Sequence, residues 1–196
     1  MSANKWRQFY GAIAALSEIP DDQWEAFRQT ASLAEYPKGG HFTTIGEKTE
    51  RVGFCVSGLF RMYYTTVDGK EFNKSFCGSG DWVAAYSSVL LGVPSTLSVQ
   101  ALEDSELIVF RHRDLQAFYE RHICWERIGR KLAEGLFVKK EAREREMLLD
   151  GAEERYTRFL REYGALAGRI SQYHIASYLG ITPISLSRIK NRPASH

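Results

Sequence analysis

The sequence predicts an α+β protein in which a roll of short β-strands is followed by a long helix and a C-terminal helix-turn-helix. Short apolar segments separated by turn signals fill residues 33–111, and many short strands at such spacing are typical of closed barrels and rolls. From about Asp114, apolar residues recur at helical intervals. The segment 171–188 carries helical spacing on both sides of a central glycine, which predicts two short helices joined by a turn.

Composition supports a folded chain outside the membrane. The 196 residues are 44% hydrophobic and 13% aromatic, which is enough for a packed core and argues against disorder. No stretch of 18 apolar residues occurs, and "MSANKWRQFYG" lacks the pattern of a signal peptide. We therefore expect a soluble, cytoplasmic protein with no membrane partner.

Three regions follow from the changes of pattern along the chain. Residues 1–120 are expected to hold N-terminal helices, one of them in "PDDQWEAFRQTA", and then the roll. In the roll, "VGFCV" (52–56) and "LFRMYY" (59–64) are interpreted as alternating strands joined through Ser57-Gly58, and Asp68-Gly69 is a strong hairpin signal. Residues 121–150 form the long helix, and 151–196 form the terminal helix-turn-helix domain.

The long helix carries an apolar stripe with two possible roles. Trp125, Ile128, Leu132 and Leu136 follow one another at steps of three, four and four residues. Such a stripe packs either against the roll or against a second copy of the helix. We favour a dimer seam, because the far half of the helix is broadly polar.

The segment "SQYHIASYLGITPISLSR" has the steric pattern of a helix-turn-helix. Ser171 is a suitable N-cap, and Thr182 followed by Pro183 signals the start of a second helix. Counted from Gln172, a small Ala176 is fifth, Gly180 is ninth and an aliphatic Leu186 is fifteenth. A small residue at a helix crossing, glycine in the turn and an aliphatic plug fit two packed helices.

The outer face of this helix pair is suited to DNA. Hydroxyl and cationic side chains reach phosphates and base edges, and arginine contacts guanine through two bonds. Residues 1–150 hold 19 basic and 21 acidic residues, a net charge of −2, whereas residues 151–196 hold 7 and 3, a net charge of +4. The residues predicted to contact DNA are Ser171, Gln172, Tyr173, Thr182, Ile184, Ser185, Ser187, Arg188, Lys190 and Arg192.

Four segments resemble the cAMP receptor protein/FNR (Crp/Fnr) family of bacterial transcription regulators. They are "VSGLFRMYYTTVDGKE" (56–71), "GSGDWV" (78–83), "GVPSTLSVQALEDSEL" (92–107) and "SQYHIASYLGITPISLSRI" (171–189). The resemblance implies a cyclic-nucleotide-binding-like β-roll (a double-stranded β-helix) that senses a signal, and a long dimerisation helix. It also implies a homodimer that reads a pseudo-palindromic operator and contacts RNA polymerase. By matching positions of the family's motif, Ser171 resembles a residue that contacts phosphate, and Arg188 resembles the arginine that reads a base edge.

The sequence departs from the family where ligands bind. In the family's cyclic-nucleotide binders a Gly-Glu pair holds the ribose, and this pair becomes Gly80-Asp81 here. Their Arg-Ser or Arg-Thr pair, which holds the cyclic phosphate, falls on Ser95-Thr96, so the phosphate arginine is absent. An anionic phosphate without this partner would be poorly compensated, which argues against cAMP and cGMP. Three scattered cysteines argue against an iron–sulfur cluster. Nothing selects Cys77, His41, His112 or His122 for haem, so no cofactor is predicted.

Two other functional classes were weighed against a regulator. An enzyme on a cupin-like roll needs clustered metal ligands, yet no His-x-His occurs, and neither a G-x-S-x-G elbow nor a P-loop is present. We therefore predict that the protein is not an enzyme. The other alternative is a ligand-binding sensor whose short terminal module is a protein-interaction surface. For an unknown small-molecule effector, the candidate pocket residues are Asp81, Trp82, Tyr86, Ser95 and Thr96, which are otherwise ordinary turn and core residues.

Overall fold

The computed structural model describes residues 2–191. Its eight helices in that range are α1 (Ser2–Ala14), α2 (Asp21–Arg28), α3 (Tyr86–Leu91), α4 (His112–Tyr119), α5 (Ile123–Leu149), α6 (Ala152–Ala167), α7 (Gln172–Leu179) and α8 (Pro183–Lys190). The strands in the same range are β1 (Ser32–Tyr36), β2 (His41–Thr43), β3 (Arg51–Ser57), β4 (Leu59–Thr65), β5 (Glu71–Gly78), β6 (Trp82–Val83), β7 (Ser98–Ala101) and β8 (Ser105–Arg111).

The strands form two antiparallel four-stranded sheets, which confirms the roll expected from the sequence. The first sheet has the order β1-β8-β3-β6, and the second has the order β2-β7-β4-β5. The hairpin signal at Asp68-Gly69 lies between β4 and β5, which pair from Thr65–Glu71 to Leu59–Gly78. The space between the sheets is filled by apolar side chains that include Phe42, Phe60 and Leu107.

Helices cover the outside of the first sheet. Aromatic rings from α1, α2 and α5 pack onto strands β3 and β8, and the Phe27 and Trp125 ring centroids are 4.5 Å apart. Phe9 touches the rings of both Phe54 and Phe110. This aromatic layer joins the N-terminal helices and the start of α5 to the roll.

The expected alternation of buried and exposed residues in β3 and β4 is wrong. Positions 52–56 and 59–63 are all buried. On β3, Phe54 points to the helical layer whereas Cys55 points between the sheets. On β4, Leu59 contacts the C-terminal helices and Phe60 points between the sheets. Both strands lack a solvated face because each sheet is covered on both sides.

Gly58 is the point at which the chain passes from the first sheet to the second. It adopts φ +100°, in the left-handed half of conformational space that favours glycine. A Cβ atom on Gly58 would lie 2.6 Å from Cα of Ser105, which is far inside van der Waals contact. Glycine is therefore required here both for its backbone conformation and for the close approach of β8.

Replacing Gly58 with alanine should destabilise the roll. The positive φ alone costs about 1–3 kcal/mol, and the clash with the Ser105 backbone adds to it. The control is Gly69→Ala, because Gly69 has φ +80° but open space around its missing Cβ. Urea unfolding should give a lower midpoint for Gly58→Ala than for Gly69→Ala. Equal midpoints would contradict the steric argument.

The apolar stripe of α5 divides between two environments. Trp125 and Ile128 are buried against the roll, so the expectation that the whole stripe forms a dimer seam is wrong for its first half. Leu132 is partly buried and Leu136 is exposed. The helix exposes other large apolar side chains towards its C-terminus, namely Phe137, Val138, Met147, Leu148 and Leu149.

The terminal module (residues 151–191) packs on the outside of the second sheet. Its aromatic core, with Phe159, Tyr163 and Tyr178, is continuous with Leu59 and Phe76 from the roll. The ring centroids of Phe76 and Tyr163 are 5.7 Å apart and nearly perpendicular. The module and the roll therefore share one hydrophobic cluster.

Candidate nucleic-acid interface

Helix α7 begins and ends at the residues that the sequence singles out. The Ser171 hydroxyl accepts a hydrogen bond from the His174 backbone N–H at 3.2 Å, which satisfies a free donor of the first turn. At the other end, Gly180 takes the left-handed conformation with φ +68° and ψ +30°. The Ile181 N–H then bonds to the Ala176 carbonyl at 3.0 Å, a helix ending that glycine makes possible without steric cost.

Helix α8 starts on a second polar cap. Thr182 Oγ1 accepts from the Ser185 N–H at 3.1 Å, and Pro183 occupies the first helical position. Because Thr182 and Ser185 bond to each other, both hydroxyls help to define the start of the helix. The predicted plug Leu186 is fully buried, and Ile175, Ala176 and Leu179 of α7 are buried around it.

The predicted DNA contacts lie mostly on the open surface of the module. At the start of α7, Ser171, Gln172 and Tyr173 are exposed. On α8 and its cap, Thr182, Ile184, Ser187, Arg188 and Lys190 are exposed, while Ser185 is half-buried. Ile184 is 67% exposed, which is unusual for an isoleucine in a small folded module. Arg192 lies outside the described residues.

A cavity of about 530 Å³ opens between α8 and the start of α6. Arg188, Ser185 and Ile189 line one side, and residues 151–154 line the other. The Glu154 carboxylate accepts from the Gly151 N–H at 2.7 Å, so it caps α6. Arg188 thus lies at the edge of a cleft that also contains carboxylates.

Arginines from outside the helix pair hold the end of α7. Arg143 of α5 donates to the Tyr178 carbonyl oxygen, and its guanidinium lies 3.9 Å from the centroid of the Tyr178 ring. Arg155 of α6 donates to the Leu179 carbonyl oxygen at 3.1 Å. Cations at a helix C-terminus satisfy its free carbonyls and favour its dipole, so they stabilise α7 in place.

Polar contacts also join α7 to β5, and sequence reasoning missed them. The Asn73 backbone N–H donates to Ser177 Oγ at 3.0 Å, and Ser177 Oγ donates to the Glu71 carbonyl oxygen at 3.1 Å. The available signal for these contacts was Asn73 itself, because an amide side chain that is buried on a strand needs a hydrogen-bond partner. Nothing in the local pattern identifies that partner as a helix about 100 residues later.

The predicted effector residues do not form one cluster. Trp82 packs against Phe9 and Phe54 in the helical layer. Asp81 Oδ2 accepts from the Gly78 N–H at 2.8 Å and closes the turn between β5 and β6. Tyr86 is half-buried with its ring beside His112, and burial raises the pKa of its hydroxyl. Their role as a pocket stays a prediction.

The Ser95–Thr96 segment is hydrogen-bonded within its own loop region. Ser95 is buried, and its hydroxyl donates to the Leu97 carbonyl oxygen at 2.6 Å, so the hydroxyl is used within its own loop. The Ser95 backbone bonds to the 46–47 loop in both directions. Thr96 is exposed. These contacts close the loop, and the expectation that the segment does not bind a cyclic phosphate stays a prediction.

The cysteines are buried thiols. Burial raises the pKa of both Cys55 and Cys77 to about 12, chiefly by removing the thiolate from water. Such thiols are poor nucleophiles and poor ligands at neutral pH. Residues 2–191 also contain no group of three or more His, Cys, Asp or Glu side chains placed to hold a metal ion.

The chain matches a known domain family in sequence and several solved structures in fold. Residues 33–122 match the sequence model of the cyclic nucleotide-binding domain. The structure of FixK2 from Bradyrhizobium japonicum superposes with a TM-score of 0.72 at 23% identity, covering 82% of each chain. A transcriptional regulator assigned to the Crp/Fnr family from Eubacterium rectale gives 0.68 at 16% identity, covering 88% of this chain and 82% of that one. The chain has the Crp/Fnr fold.

A further Crp/Fnr-like structure is the c-di-GMP-responsive regulator CLP from Xanthomonas campestris. It gives a TM-score of 0.67 at 16% identity and covers 87% of this chain and 89% of that one. Each of these three matches covers 82% or more of this chain. No curated protein gives a significant sequence match. Within the described part of this Crp/Fnr fold, no helix is long and apolar enough to cross a membrane.

Proposed function

We propose that this protein is a homodimeric, sequence-specific DNA-binding transcription regulator whose β-roll receives a signal. The observation that carries the proposal is the exposed face of α8, where Ser187, Arg188 and Lys190 project from a capped helix with a buried opposite side. Such a helix fits the width of the major groove and presents its hydroxyl and guanidinium groups to the phosphates and base edges there. The likeness to Crp/Fnr regulators supports the proposal that this module is the DNA-contacting part of the chain.

The dimer rests on the exposed apolar face of α5. Phe137 is 68% exposed and Leu148 is 82% exposed. They are eleven residues apart, close to three helical turns, so they lie on the same side of α5. Pairing α5 with its copy would remove both from water and place two recognition helices about 34 Å apart, in successive major grooves.

The signal at the roll is not cAMP or cGMP in this proposal. The Ser95 hydroxyl is used by its own loop, and no arginine stands at that position. A buried phosphate would lack the charge-assisted bonds that compensate its desolvation. An effector, where one exists, is a small molecule of different chemistry, and RNA polymerase is the protein partner of a regulator with this fold.

The test is selection of bound fragments from a randomised DNA pool, run in parallel on the wild type and Arg188→Ala. We expect the wild type to enrich a two-fold symmetric motif. Arg188→Ala should lose about 1–3 kcal/mol of discrimination at one base position of each half-site. Lys190→Ala is the control, because loss of a phosphate contact weakens all sequences nearly equally and lowers the salt dependence.

Two outcomes would overturn the proposal. An unchanged motif for Arg188→Ala would remove base reading from that residue. Failure of the wild type to enrich any motif, together with a flat salt dependence of DNA affinity, would favour the other function, a sensor whose terminal module is a protein-interaction surface. The exposed Ile184 and Tyr173 side chains would then be the contacts to test first.

A further inference from the structure

The outer side of β5 holds the middle of α7. Ser177 Oγ lies between two backbone groups of the strand, accepting from the Asn73 N–H at 3.0 Å and donating to the Glu71 carbonyl oxygen at 3.1 Å. The Asn73 side-chain amide donates to the His174 carbonyl oxygen at 3.2 Å. Bonds to the middle of a helix resist rotation of the helix about its axis, because the bonded atoms would move away from the strand.

The His174 ring adds a contact that depends on its protonation state. Nδ1 lies 3.3 Å from the Asn73 amide nitrogen and 3.5 Å from Arg61 Nη1. Both neighbours are donors, so Nδ1 fits them only as an unprotonated acceptor. In the orientation shown, the Asn73 amide nitrogen donates to the His174 carbonyl oxygen, while Asn73 Oδ1 is buried without a hydrogen-bond partner among the described residues.

Arg61 is a fixed part of this surface. It is 5% exposed, and it bonds to Gln100 and Glu71 at 2.9 Å and 2.5 Å. Its guanidinium also lies 3.8 Å from the centroid of the Tyr63 ring. A buried arginine held by three partners keeps its position, so it presents a constant positive charge to α7.

The module is attached to the roll at two further places. Arg169 donates to the Gly58 carbonyl oxygen at 3.0 Å and pairs with Glu103. Near the end of α6, Leu166 lies so close to Gly78 that a Cβ atom there would be 2.9 Å from the leucine side chain. The attachments leave Tyr173 and Arg188 exposed, so they position the DNA face without covering it.

We propose that β5 is a docking surface for α7 that sets the direction of α8, with Asn73, His174 and Ser177 as positioning residues. We call this contact between β5 and α7 the seat. This inference rests on the proposed function. In a dimer, the two terminal modules must meet half-sites about 34 Å apart. A docking surface that fixes the direction of each module therefore also fixes the operator spacing that the dimer accepts. The far end of β5 reaches the Gly78–Asp81 turn.

The seat should weaken in acid. Burial, and then the Arg61 charge, lower the pKa of His174 below its ordinary value of 6.5, with Glu71 opposing the shift. An unseated His174 recovers the ordinary pKa, so the unseated module binds more protons. Seating is therefore at full strength above pH 6.5 and weakens as the pH falls from 6.5 through the lowered pKa.

The first experiment measures the direction of α8 without DNA. Spin labels on Ile184→Cys and Val67→Cys, both exposed positions, report the distance from the recognition helix to the tip of the β4–β5 hairpin. The buried native thiols stay unlabelled. Ser177→Ala should broaden the narrow distribution of label-to-label distances. The population in which α7 is docked on β5 should fall by about tenfold relative to the undocked population. Alanine suits a helix interior, so α7 itself stays folded.

Matched variants separate the seat from general effects. Thr157→Ala removes a hydroxyl that bonds only within α6, and it should leave the distribution narrow. Lowering the pH from about 7.5 to about 5.5 should broaden the wild-type distribution. His174→Gln supplies a non-titrating acceptor and should abolish that pH response. An unchanged distribution in Ser177→Ala, or an equal pH response in His174→Gln, would overturn the seat.

The second experiment measures operator spacing. Palindromes whose halves are moved apart by one, two or three base pairs are titrated with the wild type, Ser177→Ala and Thr157→Ala. We expect Ser177→Ala to accept altered spacings that the wild type rejects, with its affinity for a single half-site unchanged. Unaltered spacing preference in a variant with a broadened distribution would overturn the link to α8. If the wild type binds no palindrome, the proposed function is refuted. The label distances would still show whether β5 fixes the direction of α8.

Discussion

Replacing Phe137 and Leu148 together with glutamate should convert the proposed dimer to monomers and nearly abolish the proposed operator binding. Both side chains lie on the exposed face of α5, away from Trp125 and Ile128, which hold the helix to the roll. Two carboxylates brought face to face with their copies across a seam would repel each other and lose the apolar burial. Because the fold of each chain does not use these side chains, the variant should remain folded.

The affinity falls because a monomer contacts DNA with one terminal module instead of two. Two linked heads bind a palindrome about 10²–10⁴-fold more tightly than one, because the second contact forms within a complex. Sedimentation equilibrium gives the oligomeric state, and titration of the selected operator gives the affinity. Val67→Glu is the control, since Val67 is a fully exposed apolar residue at the tip of the β4–β5 hairpin and is not part of α5. A double variant that still sediments as a dimer would place the interface on another surface.

Truncating Phe159 to alanine should destabilise the protein by about 3–5 kcal/mol, the usual cost of removing a buried phenylalanine from a packed core. The Phe159 ring is fully buried in contact with Tyr163 and Tyr178, at centroid distances of 5.4 and 5.6 Å. It also meets Phe76 of the roll at 6.3 Å. Local collapse cannot refill a cavity that is bounded by rings from both parts of the chain.

Denaturant unfolding with two probes would check this prediction. Leu160→Ala is the control, because Leu160 is the next residue on α6 and is exposed, so its truncation should have a small effect. Near-ultraviolet signals from the aromatic layer of the roll should shift together with helical signals from the module. A Phe159→Ala midpoint equal to that of Leu160→Ala would mean that the shared cluster contributes little to stability.

Local chemistry made the helix pair predictable from the sequence. Ser171, Gly180 and Thr182 act on atoms within four residues of themselves, so their roles are readable from spacing alone. The roll was predictable for a similar reason, since Asp68-Gly69 specifies a hairpin between its neighbours. In both cases the determining interaction is short in sequence.

Coverage by distant elements was not predictable in the same way. The alternation assigned to β3 and β4 failed because helices and the terminal module cover faces that an isolated sheet would expose to water. Trp125 and Ile128 have the spacing of a seam, but periodicity identifies an apolar face without identifying what covers it. The contact of Ser177 with Asn73 spans 104 residues, and neither residue carries a local sign of the other.

The shared cluster limits which parts of this chain are interchangeable. A terminal module moved onto another regulator would arrive without Leu59 and Phe76, which complete its core, and without the Glu103 partner of Arg169. A foreign module placed here would leave those roll side chains facing water. Recombination at residue 150 would therefore yield poorly folded chimeras, so the roll and the terminal module are expected to change together during evolution rather than to be exchanged as separate units.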